Sequence, residues 1–170
     1  MKAGATKRGL LAVYLVAAFC ENYFTMTKPA TEHAPYRAAH RSSDATFIEQ
    51  PSALPFVETL ELLIAAIEAA GLIVFARIDH TAAAHAVGLV MPPTVVLIYG
   101  AAQGGTPIML AVPAAAHDLP LRVLIREDAN LLAQVSFHAV VPMLQALGVS
   151  EAMAKRLEPA QALLLRAIQA

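Results

Sequence analysis

The chain has 170 residues, a formal net charge of −1, 58% apolar residues and only 6% aromatic ones. That length suits one domain able to bury a core without disulfides or metals. With 12 Lys and Arg against 13 Asp and Glu, the chain has no basic stripe for nucleic acid and too few aromatics for a base-stacking platform, and the lone cysteine, Cys20, excludes an internal disulfide or a cysteine-built metal cage.

Residues 1–20 read as an export address. Lys2, Lys7 and Arg8 precede the apolar run from Gly9 to Ala18, which is too short for a comfortable membrane span. Val16 and Ala18 are small enough for cleavage after Ala18; the alternative is an uncleaved anchor or interfacial helix. Phe19 before Cys20 argues against lipidation. Either route predicts an exported domain, periplasmic or membrane-tethered outside the cytoplasm. Residues 21–43, with Pro29, His33, Pro35 and His40 and no sustained period, read as a linker.

The folded domain is expected over residues 44–170. Ala45 to Gln50 alternates as a short strand, and Pro51-Ser52 offers a turn and an N-cap. Phe56, Val57, Leu60, Leu63, Ile64 and Ile67 then recur at helical spacing, with Glu58, Glu61 and Glu68 off the stripe and Gly71 ending the helix. Leu72 to Ile78 is apolar on both alternating faces, which predicts a central strand buried on both sides. Asp79 or Thr81 caps a short Ala-rich helix ended by Gly88.

Thr94 to Tyr99 is the strongest strand in the sequence. Gly100 is expected to open a loop through Pro107, with Thr106 as N-cap and Pro107 at the first helical position, so that backbone amides at the helix start attract an anion. Leu119 to Arg126 and Leu131 to Phe137 form a hairpin about Glu127-Asp-Ala-Asn130. From Val140 onward the pattern is helical, interrupted at Gly148 and restarted at Ser150 and Pro159. This order predicts an α+β single domain: a mixed or antiparallel sheet of about five strands, helices mainly on one face, and a C-terminal helical tail.

Three stretches, "VFARIDHTAAAHAVGLVMPPTVVLIYG", "GGTPIM" and "DLPLRVLIRED", resemble the domain-of-unknown-function family number 302, a group of small bacterial and archaeal α+β proteins. The resemblance runs from about Asp44 to the carboxyl terminus. It implies the fold and a tendency to form homodimers, and no established reaction. Ala101-Ala102 stands where the family commonly has Asn-Pro, and Phe137-His138-Ala139 where it often has Tyr-Asn-Asp.

The polar motifs define the candidate site. Asp79 can orient the His80 imidazole as base, acid or ligand; equally, Asp79 can cap a helix and His80 face a loop. If the sheet brings Asp79-His80, Gly105-Thr106 and His117-Asp118 together, the cleft holds an imidazole, a hydroxyl, amide donors and carboxylates, with Arg122 beside them for an anion. The preferred reading is therefore an exported homodimeric domain binding a small polar or anionic ligand through Asp79, His80, Gly105, Thr106, Asp118 and Arg122. A metal protein using His80 with Asp79, Asp118 or His138 is one alternative; a dimerisation or interaction domain whose motifs are all architectural is another. His80 is the acid-base candidate if the domain is an enzyme. No phosphate-binding loop, G-x-S-x-G, H-E-x-x-H or C-x-x-C occurs.

Overall fold

The computed structural model describes residues 47–169; the expected export address, the expected linker and Cys20 lie outside the described residues. Five strands form one sheet: β1 (Phe47–Pro51), β2 (Ile73–Asp79), β3 (Thr94–Gly100), β4 (Leu121–Glu127) and β5 (Ala133–His138). Their order is β1-β5-β4-β3-β2 and every pairing is antiparallel. The chain is α+β, as its strand-helix sequence predicts, and the sheet is antiparallel throughout.

Pleat alternation sends Val95, Leu97 and Tyr99 of β3, Leu121, Val123 and Ile125 of β4, and Val135 and Phe137 of β5 to one face. There they meet the buried residues of helix α1 (Phe56–Ala69), namely Leu60, Leu63 and Ile67. The predicted stripe thus holds at its centre, while Val57 at its start is 58% exposed. The helix ends as expected: Gly71 takes a positive φ of 74°, and Leu72 N–H donates back to the Ile67 carbonyl at 3.1 Å. At its other end Ser52 is not the N-cap. That position is Pro55, and Ser52 Oγ instead accepts from the Leu54 amide and the Thr59 hydroxyl.

The chain crosses from one sheet edge to the other through α1, which places β2 at an edge and corrects the expectation of a central strand. Ile73, Phe75 and Ile78 are 56%, 51% and 41% exposed. A continuous apolar run therefore does not mean burial on both faces here; among the described residues β2 has no strand on its far side. Its pairing with β3 also slips between Val74 and Ala76, a bulge at Phe75.

Helix α2 (His80–Ala86) follows β2 directly, and α3 (Ala102–Ala111) follows β3. Helix α3 starts four residues before Thr106, at Ala102, so Gly104, Gly105 and Thr106 lie inside the helix and Pro107 interrupts its ladder. A 3₁₀ turn, Pro113–His117, leads to β4.

In the β4–β5 turn, Asp128 Oδ1 accepts from the amides of Asn130 and Leu132, with Leu131 at φ 61°. Those amides, the Leu132 one first, hold the Asp128 carboxyl below its usual range. The tail comprises α4 (Val140–Gln145), α5 (Glu151–Ala154), a 3₁₀ turn at Lys155–Leu157 and α6 (Glu158–Gln169). Gln161 of α6 ties the tail to the sheet end, its Oε1 accepting from Val140 N–H and its Nε2 donating to the His138 carbonyl.

Candidate functional site

The sheet's two ends separate the polar motifs. Ile73 lies opposite Gly100, and Asp79 opposite Val95, so β2 begins where β3 ends. Six residues at a strand rise of about 3.3 Å put Asp79 roughly 20 Å from the Gly100 end. The Gly105-Thr106 segment comes just after Gly100, and Arg122, opposite Ile98, lies toward that same end. His138, paired with Phe47, also lies there. Asp79-His80 is therefore apart from every other motif the sequence singled out.

At its own end Asp79 behaves as a cap. Its Oδ1 accepts the Ala82 amide at 2.8 Å, and Oδ2 lies 3.9 Å from Arg77 Nη2. His80 is the exposed first residue of α2. Thr81 stitches the same corner, Oγ1 accepting from Thr94 N–H at 2.8 Å. At the opposite end Asp118 pairs with Arg122 at 2.9 Å, and the His138 ring meets Phe47 edge-on at 5.6 Å. His117 is exposed in its 3₁₀ turn and His85 on α2. Among the described residues no three His, Cys, Asp or Glu side chains are grouped to hold a metal ion.

What the sheet end does build is a cavity of about 580 Å³. Its walls come from elements distant in sequence. Leu72 and Phe75 enter from the start of β2; Gly104, Gly105, Thr106 and Met109 from α3; Leu119 to Leu121 from the approach to β4; Leu157, Ala160 and Leu163 from the tail. Gly105 and Thr106 of the expected site thus line it, as helix wall and not as a helix start. Gly104 lets α3 approach the tail closely, since a Cβ there would stand 2.9 Å from Leu157 Cδ2.

The cavity's charge is one-sided. Arg156 and Arg166 line it, and among the described residues no Asp or Glu does. Elsewhere among the described residues the cations are matched: Arg77 with Asp79, Arg122 with Asp118, Arg126 with Glu49 and Lys155 with Glu151. Arg156 and Arg166 are the two without a carboxylate partner among those residues. A guanidinium beside apolar walls suits a carboxylate on an apolar body, because its fork matches the carboxylate geometry while the walls take the apolar part.

Sequence reasoning missed this pair. The signal was present: Arg156, Ala160, Leu163 and Arg166 recur at helical spacing across the final restart. What was not legible is that the face so formed lies against α3 and the β2 start. Tyr99, one residue before the cavity-lining Gly100, is fully buried, its hydroxyl has no hydrogen-bond partner among the described residues, and burial raises its pKa far above the ordinary 10.0.

A family model described as "Domain of unknown function DUF302" matches residues 48–170. Among curated proteins, the chain is similar to "Fluoride-specific ion channel FluC 1" of Brucella suis biovar 1 and "Fluoride-specific ion channel FluC 2" of Brucella melitensis biotype 1. Each is 37% identical over 87 residues, 51% of this chain, covering 34% and 32% of the relatives respectively. The chain thus spans about a third of the length of the curated relatives it matches. Among solved structures, an uncharacterized conserved DUF302 protein from Bacillus stearothermophilus superposes with a TM-score of 0.63 at 14% identity, covering 73% of this chain and 96% of that one. That likeness establishes a shared fold.

Proposed function

We propose, from the premise that this chain belongs to the DUF302 family, that its domain binds a small organic anion in the cavity between α3 and α6. The observation that carries this reading is the pairing pattern: the two cations without a carboxylate partner among the described residues both line one largely apolar cavity. Its volume lies in the range of small-molecule sites, roughly 300–1,000 Å³. Walls of Leu, Met and Phe would take an apolar body, and an arginine would take the acid group.

The proposed ligand site is centred on this cavity and not on the Asp79-His80 pair. Gly105 and Thr106 contribute; Asp79 and His80 do not reach the cavity and serve as a helix start. Of the partners the metal reading gives His80, Asp118 and His138 lie at the opposite end of the sheet and only Asp79 stands beside it, which favours the anion reading over the metal one.

The curated relatives' names refer to fluoride-specific ion channels, proteins about three times as long as the matched segment. No described helix here is long and apolar enough to cross a membrane. Fluoride, small and strongly hydrated, is a poor match for apolar walls of this extent, so it enters as a competing probe.

Export directed by residues 1–20 and a homodimer remain parts of the proposal. The dimer is supported by the exposed Ile73, Phe75 and Ile78 on an edge strand, since such edges are commonly covered in solution.

The test is a heteronuclear NMR titration of the full chain with sodium decanoate, benzoate and fluoride. Saturable shifts are expected at Gly104, Gly105 and Leu163 with decanoate, and none at Asp79 or His80. Absence of saturable shifts with both carboxylates would defeat the proposal; fluoride shifts alone would replace the organic anion with an inorganic one.

A further inference from the structure

The two arginines differ in where they stand along the cavity. Arg156 lies in the 3₁₀ turn before α6, and Arg166 in that helix's last turns; between them Pro159, Ala160 and Leu163 line the same wall. Ten residues at about 1.5 Å each separate the two backbones by roughly 15 Å, the span of an extended saturated chain of about twelve carbons. The stretch between them offers no charged side chain to the cavity. A cation at each end and apolar wall between describe a ligand with the matching pattern.

We infer that the cavity takes an elongated organic dianion, a saturated chain with a carboxylate at each end, one received by Arg156 and the other by Arg166. The inference rests on the anion-binding reading above and specifies its ligand. A single-headed fatty acid would satisfy only one guanidinium and bury its methyl end against the other. A short dicarboxylate would reach only one arginine and leave the apolar wall uncovered. A dianion of about that length satisfies both ends and the middle. No bond is made or broken in this step.

Isothermal titration of the full chain with dodecanedioate, dodecanoate and succinate tests it, on wild type, Arg156→Gln and Arg166→Gln. Both arginines are exposed at the cavity rim, so the variants are expected to fold, and unchanged thermal melts check this. Dodecanedioate should bind about tenfold or more tightly than dodecanoate, the effect of one added charge-assisted contact, and succinate should bind far more weakly than either. Each single variant should lose about tenfold for the diacid and abolish its advantage over the monoacid. Equal binding of diacid and monoacid by wild type would overturn the two-ended inference while leaving the cavity's anion reading intact. Binding of none of the three would overturn both.

Discussion

Replacing Gly104 and Gly105 by alanine, one at a time, tests the helix that forms the cavity wall. If α3 begins at Ala102, both positions are helical, and Gly→Ala is worth about 0.5–1 kcal/mol at each from backbone entropy alone. The surroundings then separate them. A Cβ at Gly105 would stand 3.7 Å from Met109 Cε and 3.9 Å from Leu119 Cδ1, ordinary contacts, so the full gain of about 1 kcal/mol should appear. For a domain of this size that raises Tm by roughly 2–6 °C. At Gly104 the new Cβ would meet Leu157 Cδ2 at 2.9 Å, so the end of that half-buried side chain must shift, and the shift offsets part or all of the gain. Gly105→Ala should therefore be the more stabilising of the two. Urea denaturation monitored by circular dichroism, with unchanged slopes, reads the difference. No gain at Gly105 would return these residues to a loop and refute the observed helix start. Equal gains at both would refute the close approach of α3 to the tail.

Other predictions concern separate parts of the domain. Asp79→Ala should lose about 1 kcal/mol by removing the cap on Ala82, Asp79→Asn should retain most of it, and His80→Ala should change stability by less than about 0.5 kcal/mol and leave decanoate binding intact. Tyr99→Phe removes a buried hydroxyl that lacks a partner and should be neutral or stabilising by up to about 1–2 kcal/mol in chemical denaturation. Tyr99 also sets an alkaline limit. Its folded-state pKa is raised by burial, so the unfolded chain releases that proton first, and stability should fall as pH climbs above the ordinary 10.0; the fall should be shallower in Tyr99→Phe. Ile73→Lys on the exposed edge of β2 should convert a dimer to a monomer by light scattering, and a monomeric wild type at working concentration would remove the dimer from the proposal.

Much of the fold is readable without coordinates because its signals are local. Leu60, Leu63 and Ile67 mark one side of α1 by their spacing, and Gly71 marks its end because a positive φ is cheap only for glycine. The Glu127 to Asn130 segment announces its turn because Asp128 can satisfy the backbone amides around it. Sequence and structure part where local chemistry permits two answers. An apolar run is compatible with a central strand or with an exposed edge, and β2 is the edge. Thr106-Pro107 has the composition of a helix start, yet α3 begins at Ala102 and passes Leu157 closely at Gly104.

The candidate site divides in the same way. The sequence by itself determined that Gly105-Thr106 sits beside a strand end, that Asp79 can cap a helix starting just after it, and that no catalytic signature is present. Only the tertiary structure decided that Asp79-His80 stands about 20 Å from the Gly100 end of the sheet, because strand order is a choice among pairings that local propensity does not make. It likewise decided that Arg156 and Arg166, ordinary residues of a helical tail, face a cavity lined by residues from the middle of the chain. A cavity is the space left among elements remote in sequence, so its shape and its unbalanced charge exist only once those elements have packed.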